Sequence, residues 1–449
     1  MLRTPLSLAA ALLAVPVALG VLPNAAADPT NPKAWRGAEA SGKAVAAEEP
    51  AADSRVVVAV IDTGVNPYHE AYYDDPVSVT PEILAELGVA PENQVTLTRT
   101  GDFAADFAAD ASFWESVQPE TPYWFTGTNL VGISFDSAGI PIFSDPGDEH
   151  GIGTTSAVLD ANPEAVVVLV EDWNSESEAY AFNHPAVDIV STSYGTPGSP
   201  PLPFHLTNSY TGVVDLGKLH YGASDNSPAL SPTDGTSGPW WSIGVAGFEE
   251  GSSGGRTTLS GNVVDVVSDF TQDLPYCSDC EAGRESVGGT SFATPRAAGT
   301  ASKVLLEARR AAGHVGGIVT AEGAAPLLVT GGHELTNWEL RRAFEEAAQY
   351  PTLDGYDPVE AAFDLGATPV VEQAPYLQTG WGLFTPDPAY GVVDEALAQA
   401  GVRGEPRPAK GGEACDFNTA QFELRKAYWD NVAIGSESLF TSEDPYIRC

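Results

Sequence analysis

A serine at the start of a helical pattern is the first candidate for chemistry in this sequence of 449 residues. Residues 288–299 contain glycines that permit a tight turn, and Pro295 falls where the first helical turn is expected. Ser291 would then lie beside unpaired backbone N–H groups, at the positive end of the helix dipole. Such an environment stabilises an oxyanion and therefore predicts a nucleophile. An N-capping serine on an ordinary buried helix is the alternative interpretation.

Asp62 directly follows residues 55–61, a continuous apolar run that predicts a parallel strand covered on both faces. An aspartate at the carboxyl end of such a strand lies where open α/β sheets place their sites. Asp-Thr-Gly is also a signature of aspartic proteases, which need two carboxylates sharing one proton. The chain has no second Asp-Thr-Gly or Asp-Ser-Gly. A turn or N-capping aspartate is the other interpretation of Asp62.

His150 begins a short helical pattern that ends near residue 159, between two predicted strands. An imidazole with a pKa near neutrality can take the proton of a serine, and a carboxylate can orient the ring and stabilise its cation. Asp62, His150 and Ser291 together therefore predict a relay of acid, base and nucleophile.

The elements that must position these side chains form an alternating series. Buried-strand patterns occur at residues 55–61, 166–170, 187–191, 241–247 and 263–267, and helical patterns at 81–87, 150–159, 338–348 and 392–399. Alternation of this kind predicts an α/β fold, with a mostly parallel central sheet and helices on both faces.

Three segments resemble the subtilisin-like serine protease family, of the peptidase S8 type. They read Val-Ile-Asp-Thr-Gly-Val at 60–65, His-Gly-Ile-Gly-Thr at 150–154 and Gly-Thr-Ser-Phe-Ala-Thr-Pro at 289–295, in the Asp, His, Ser order of that family. The histidine segment departs from the family, which has threonine directly after His-Gly. The resemblance covers roughly residues 55–400 and implies a three-layer sandwich that hydrolyses peptide bonds.

Ser193, Tyr194 and Gly195 follow a predicted strand and resemble the substrate-binding stretch of the same family. Their backbone would pair with an extended peptide by strand addition. A plain exit from a strand into a turn is the alternative.

The segment around Asn226 resembles the one that carries the family's oxyanion asparagine. Asn226 would donate its side-chain N–H to the developing oxyanion beside the backbone N–H of Ser291. Ala223, Ser224 and Asp225 would line the pocket for the residue before the scissile bond. Asp225 stands where the family has glycine, so it either favours basic side chains in that pocket or points to solvent.

The four cysteines all lie late in the chain, at Cys277, Cys280, Cys415 and Cys449. In an exported chain they predict disulfides. The pairing Cys277–Cys280 and Cys415–Cys449 is preferred because local partners meet most easily. A zinc site with four cysteines is the alternative.

The order of segments predicts an exported protein with one main domain. A basic start, a short apolar run and an Ala-x-Ala site are typical of a signal peptide. The expected segments are a signal peptide at 1–27, a loose leader at 28–54, a peptidase domain at 55–400 with an insertion at about 75–146, and a small tail at 401–449.

The charge of the chain excludes some partners. Asp and Glu number 61 against 21 Lys and Arg, a formal net charge of −40. Such a surface repels nucleic acid and anionic membranes, and no stretch after the signal reaches the ~20 apolar residues of a membrane span. We expect a secreted monomer that acts on polypeptides and needs no cofactor for chemistry. The surplus carboxylates are compatible with structural calcium, but no EF-hand-like loop locates a site.

Three functions remain open from the sequence. The leading hypothesis is a serine endopeptidase in which Ser291 attacks, His150 transfers the proton and Asp62 orients His150. A sedolisin-type peptidase, which uses Glu and Asp in place of His, fits the low isoelectric point. A catalytically inactive binding or scaffold protein of the same fold is the third hypothesis.

Overall fold

The structure is a computed structural model that describes residues 54–430, except for 75, 137–138, 196–198, 227–234, 251–255, 260–262, 317–326, 330–334 and 350–378. The expected signal peptide, nearly all of the leader and the end of the tail lie outside the described residues. Among the helices that are described, none is both long and apolar enough to cross a membrane.

A large, mostly parallel sheet forms the centre of the fold. Its strands are β1 Val57–Asp62, β2 Gln94–Val95, β3 Tyr123–Phe125, β4 Leu130–Ser134, β5 Val166–Glu171, β6 Ile189–Thr192, β7 Leu219–Ala223, β8 Ile243–Glu250, β9 Arg256–Leu259 and β10 Val266–Asp269. The spatial order is β10-β8-β7-β6-β1-β5-β4-β3-β2, with β9 beside β8. Only the β3–β4 and β8–β9 pairs in this sheet are antiparallel. Two hairpins lie apart from it: β11 Thr271–Leu274 with β12 Glu285–Gly288, and β13 Leu327–Val329 with β14 Leu335–Thr336.

Helices flank the sheet. They are α1 Pro81–Glu86, α2 Phe103–Ala109, α3 Ala111–Trp114, α4 His150–Ala161, α5 Ser175–Asn183, α6 Pro203–Tyr210, α7 Thr290–Ala312, α8 Asn337–Ala347, α9 Val392–Gln399 and α10 Glu413–Asp430. Short 3-10 turns occur at Glu70–Tyr72 and Pro91–Asn93, and a π turn at Thr211–Asp215.

Strand β1 explains why the sequence shows an unbroken apolar run. Val58 and Val60 pack into the core that also contains apolar residues of α4 and α7. Ala59 and Ile61 point to the other face and pack into the core that contains residues of α1 and α5. Because both faces of the strand are covered, alternation disappears from its sequence. The predicted α/β class with helices on both faces is confirmed.

Five strands of the sheet, β2, β3, β4, β7 and β9, have no counterpart among the strands predicted from the sequence. Strand β7 contains His220, which interrupts the apolar pattern, but both ring nitrogens are hydrogen-bonded, to Thr192 Oγ1 (2.9 Å) and Ser242 Oγ (2.7 Å). Strand β4 lies within the region interpreted as an insertion and pairs in parallel with β5. It is part of the central sheet.

The acidic and aromatic segment around α2 and α3 also differs from its interpretation as a surface insertion. Its rings form a cluster with Tyr68 and Phe143, in which Trp114 is buried and Phe107, partly buried, stacks on it at a centroid distance of 6.0 Å. The Trp114 indole N–H donates to the Tyr68 hydroxyl over 2.8 Å. The aromatic residues thus belong to the core, although acidic residues separate them in the sequence.

The segment after residue 401 contributes helix α10, which packs on the main domain. Trp429 is buried, and its indole N–H donates to Gly238 O over 2.9 Å. Arg425 forms a two-point contact with Asp265, both distances being 2.9 Å, and donates to four backbone carbonyls. The described part of the expected tail therefore has its own buried contacts with residues 237–242 and 265.

Candidate active site

Asp62 is the last residue of β1, and its carboxylate is almost fully buried. Oδ1 accepts hydrogen bonds from the Thr63 backbone N–H (2.8 Å) and from His150 Nδ1 (2.7 Å). Oδ2 accepts from the Thr154 hydroxyl over 3.1 Å. Three donors thus fix the orientation of a carboxylate that faces the histidine.

His150 is the first residue of α4, at the end of the loop that approaches Asp62. The next residue must be glycine, because a Cβ at Gly151 would lie 2.2 Å from Thr63 O. The unusual Ile152–Gly153 pair does not displace the helix start. It places Thr154 one turn after His150, so both side chains reach the Asp62 carboxylate from the same face of α4.

Ser291 is the second residue of α7, the helix that packs most closely on α4. A Cβ at Gly299 would lie only 2.6 Å from Val158 O, which shows how near the two helices run. Phe292 packs against the imidazole of His150, with ring centroids 5.4 Å apart. The residue next to the serine therefore touches the histidine ring.

The hydroxyl of Ser291 donates to Ser193 O over 3.4 Å. Among the described residues, no hydrogen bond joins it to His150. The structure thus brings Asp62 and His150 into direct contact and places Ser291 near them, without a hydrogen bond between Ser291 and His150. Catalytic hydrogen bonds are often long or poorly aligned in the absence of substrate, and rotation about χ1 changes the direction of the Ser291 hydroxyl.

Asn226 lies next to the start of α7. Its Oδ1 accepts from the Thr290 backbone N–H (2.8 Å) and from the Thr290 hydroxyl (3.0 Å). These two bonds fix the amide so that its NH₂ group is the part left to donate. Asp225 precedes it with φ 78°, in the left-handed region that glycine adopts most easily. That conformation explains why glycine would suit the position.

The other predicted binding residues lie on the two neighbouring strands. The Ser193 hydroxyl donates to Ser291 O over 2.8 Å, so the segment after β6 contacts the start of α7. Tyr194 and Gly195 continue from Ser193. Ala223 ends β7, and the following Ser224 is buried, its backbone N–H donating to Val245 O over 3.1 Å.

The Asp62 carboxylate is the main reason why the pKa of His150 is raised above its usual value, with a further contribution from Asp148. A cavity of about 160 Å³ next to Thr63 is lined by further acidic residues. Its acidic lining residues are Asp136, Asp145, Asp148, Glu171 and Asp172. Burial raises the pKa of Glu171 to about 7, and burial followed by the Asp62 charge raises that of Asp148.

A loop closed by a disulfide contacts the residue that precedes His150. Cys277 and Cys280 are bonded, as one of the predicted pairs requires. Between them, the Ser278 hydroxyl donates to Glu149, the residue before His150, over 3.0 Å. Asn66 donates to both cysteine carbonyls. Cys415 is buried, but its predicted partner Cys449 lies outside the described residues.

Metal ligation is not the role of the cysteine loop. Within the described residues, the cluster of three potential ligating side chains consists of His69, Cys277 and Cys280. The sulfurs are in the disulfide, and both ring nitrogens of His69 are engaged, with Gly283 O and the Ala71 N–H. These groups do not fit a metal ion. The calcium expectation stays a prediction without a located site.

Three residues of this region had no signal in the sequence. Phe292 lies in the recognised serine motif, but nothing there indicates that its ring packs on His150. Asn66 and Ser278 act through hydrogen bonds to segments more than a hundred residues away. Contacts of that range leave no local pattern.

No family model and no curated protein matches this sequence. Solved structures do. A structure of the prenylagaramide maturation protease PagA is 14% identical, with a TM-score of 0.40, and the match covers 76% of this chain and 94% of that one. A crystal structure of a cold-adapted subtilisin-like serine proteinase is 16% identical (TM-score 0.38; 68% and 85% covered). A crystal structure of a lanthipeptide protease is 13% identical (TM-score 0.45; 76% and 87% covered). The chain therefore has structural similarity to solved proteases, one of them subtilisin-like, with each TM-score below 0.5.

Proposed function

We propose that this protein is an exported serine endopeptidase. The observation that carries the proposal is the cluster of Asp62, His150 and Ser291: the carboxylate accepts from His150 Nδ1 over 2.7 Å, and the residue after Ser291 packs on the imidazole. Within the described residues, His150 Nε2 has no hydrogen-bond partner, so it is the atom that can take a proton from the serine.

The chemistry proceeds in two halves. In the first, Ser291 Oγ bonds to the carbonyl carbon while its proton passes to His150 Nε2, and the C–N bond then breaks as His150 gives that proton to the leaving amine. In the second, water bonds to the acyl carbon while His150 takes the water's proton; the bond from the acyl carbon to Ser291 Oγ then breaks, His150 returns the proton to Oγ, and the peptide carboxylic acid leaves. Asp62 holds the ring and stabilises its cation throughout.

The oxyanion formed in each half needs hydrogen-bond donors. The backbone N–H of Ser291 and the side-chain NH₂ of Asn226 are the proposed pair, because the two Thr290 bonds occupy the Asn226 oxygen. Loss of one such donor typically lowers kcat by about 10²–10³-fold. The polypeptide would lie in an extended conformation along Ser193–Gly195. Export is proposed from the predicted signal peptide, and the Cys277–Cys280 disulfide is compatible with it.

One observation favours a second candidate, a scaffold protein that keeps the fold without catalysis. The Ser291 hydroxyl donates to Ser193 O and not to His150. In that case the serine would have a purely structural bond.

Labelling by a fluorophosphonate separates the two candidates, because only an activated serine displaces fluoride from the reagent. We expect stoichiometric labelling of the mature protein and none of Ser291→Ala, detected by intact-mass spectrometry. Folded protein that never reacts would contradict the peptidase and favour the scaffold.

A further inference from the structure

A cavity of about 490 Å³ lies beside Tyr194 and Gly195, on the side of the proposed peptide-binding segment. Most of its lining is apolar or aromatic and includes Trp173, Pro200, Pro201, Leu202 and Phe204. The lining residues that the structure describes include no lysine or arginine. Its chemistry suits an uncharged side chain with a large apolar surface.

The walls of this cavity, which we call the Tyr194 pocket, expose large apolar side chains. Trp173 is 46% exposed and stacks on Tyr194, with ring centroids 5.8 Å apart and planes at 28°. Leu202 is 57% exposed. Large apolar groups exposed together around a concavity are typical of a binding site, since burial against a ligand removes them from water.

Two buried polar side chains lie at the inner end of the Tyr194 pocket. Glu178 has no exposed surface and accepts from the Tyr194 hydroxyl over 2.6 Å. His205, 1% exposed, bonds the same carboxylate through Nδ1 at 3.0 Å. The other ring nitrogen, His205 Nε2, is itself buried and has no hydrogen-bond partner among the described residues. Buried polar atoms without partners are uncommon in native proteins and call for an explanation.

The neighbouring groups do not satisfy that nitrogen. The ring of His220 is 5.4 Å from His205, but its own nitrogens are engaged with Thr192 and Ser242. Burial and the Glu178 charge hold the pKa of Tyr194 well above its ordinary value, so its hydroxyl stays protonated and remains committed to Glu178. His205 is one of the lining residues of the pocket, so a molecule bound there can supply a partner for Nε2.

We propose that the Tyr194 pocket binds a tyrosine side chain of the peptide substrate, with the ring against Trp173 and Leu202 and the hydroxyl hydrogen-bonded to His205 Nε2. The inference rests on the proposed function, because it takes the peptide to lie along Ser193–Gly195. With Nδ1–H donating to Glu178, Nε2 of a neutral His205 accepts a hydrogen bond from the phenol O–H, and Nε2–H of a protonated one donates to the phenol oxygen. A phenol complements either form, whereas phenylalanine complements neither and lysine can only donate.

Peptide binding to the full-length mature Ser291→Ala variant tests the inference without turnover. The peptides carry Tyr, Phe, Leu or Lys at each of the four positions before the scissile bond, and calorimetry gives their Kd. At one position we expect Tyr to bind about tenfold more tightly than Phe, the size of one hydrogen bond. Equal affinity for Tyr and Phe at all four positions, a preference for Lys, or no binding of any peptide would overturn the inference.

Two variants test whether the preference for Tyr over Phe arises in the Tyr194 pocket. His205→Phe should remove the Tyr-over-Phe ratio while retaining an aromatic ring. If that variant does not fold, Leu202→Ala is the second test, because it should weaken the binding of Tyr and Phe peptides alike. Leu424→Ala, the same change at an exposed site on α10, is the matched control and should leave both affinities unchanged. An unaltered Tyr-over-Phe ratio in folded His205→Phe, or Tyr and Phe affinities unaltered by Leu202→Ala, would contradict the assignment.

Turnover of the same peptides by the wild-type protein separates the two proposals. Selective binding of Tyr peptides without cleavage or fluorophosphonate labelling would refute the peptidase and leave the pocket assignment in place. Cleavage without any preference for Tyr would refute the pocket assignment and leave the peptidase in place.

Discussion

Asp62 and Asp265 are both buried carboxylates that contact a basic side chain, yet their surroundings differ in one respect. Asp62 contacts His150, a partner that titrates and keeps one ring nitrogen unpaired among the described residues. Asp265 contacts Arg425 at 2.9 Å, Arg341 at 3.3 Å and the Gly244 N–H at 2.7 Å. Arg425 also donates to four carbonyls, so its hydrogen-bonding capacity is used within the fold.

The difference separates a reactive pair from a structural one. Asp265 is paired with a permanently charged arginine whose donors are used within the fold. This pair stabilises the contact between α10 and the sheet, and neither side chain is available to bind a substrate. A carboxylate paired with a histidine at the edge of the site can support the gain and loss of a proton. If this comparison is right, changes at Asp62 affect rate and changes at Arg425 affect stability.

The largest effect expected is on the rate of Asp62→Asn. The amide cannot hold His150 in the required tautomer or stabilise its cation, so kcat should fall by about 10⁴-fold, as for the buried aspartate of other triads. The Tm should change little, because the amide keeps the shape of the carboxylate and its one oxygen still accepts from one of the two threonine donors, Thr63 or Thr154. Peptide hydrolysis and calorimetry measure the two quantities. Asp394→Asn, at an exposed aspartate, is the control. A loss of kcat below tenfold in Asp62→Asn would contradict the assignment of Asp62 to the reactive pair.

Arg425→Met should have the opposite profile. The change leaves Asp265 buried with only part of its charge compensation and leaves four carbonyls without their donor, so the free energy of unfolding should fall by about 3–5 kcal/mol. The value of kcat per folded molecule should not change. Denaturant unfolding measures the loss, and Arg403→Met, at a half-exposed arginine with two surface ion pairs, should cost only about 0–1 kcal/mol. Equal losses in the two variants would show that the α10 contact is not a buried structural pair.

These two regions also differ in how much of them the sequence predicts. Asp62, His150 and Ser291 each stand at the end or start of an element whose local pattern is clear, and the parallel sheet that aligns them is predicted from strand and helix alternation. Arg425 reaches Asp265 across 160 positions, and no local pattern marks either residue as a partner. The same holds for Glu178 on α5 and His205 on α6, because neither helix has a counterpart among the predicted elements.

Strand β4 and the aromatic cluster were missed for a related reason. Short strands and single aromatic residues spread through an acidic stretch do not form a periodic pattern, and their burial depends on β5 and Phe143 being in place. The local helix start at His150 is a case where sequence reasoning was sufficient despite the unusual Ile152–Gly153 pair, because Gly151 and the helical pattern after it are local features.

The dependence of activity and stability on pH should also differ between Asp62 and Asp265. The pKa of His150 is raised, chiefly by Asp62, so kcat/KM should decline as the pH falls through a value above the ordinary histidine pKa. The stabilisation from the same pair has the opposite sign: it is complete below the unfolded histidine pKa and is lost as the pH rises through the folded one.

Asp265 behaves differently because it is a carboxylate. Burial opposes ionisation, but Arg425 and Arg341 outweigh it and hold the pKa of Asp265 below its usual value. Its stabilisation is therefore present above the unfolded aspartate pKa and is lost only as the pH falls through the folded value. Rate and unfolding profiles against pH test both signs. Full activity at a pH well below that of the ordinary histidine pKa would contradict a histidine base and favour a carboxylate base, as in the sedolisin type.

The smallest effect expected is that of Thr154→Val, which removes one of the three donors to Asp62 and keeps the shape of the side chain. The carboxylate stays charged and bonded to His150, so kcat should fall only about 2–12-fold, the equivalent of one hydrogen bond of about 0.5–1.5 kcal/mol. Thr155→Val is the matched control. Its hydroxyl contacts the Tyr72 hydroxyl at 2.7 Å and Gly151 O, and does not reach Asp62. This control should lower stability and leave kcat unchanged. Equal rate losses in both variants would mean that α4 transmits general packing changes to the site, and that the hydrogen bond from Thr154 has no separate part in orienting Asp62.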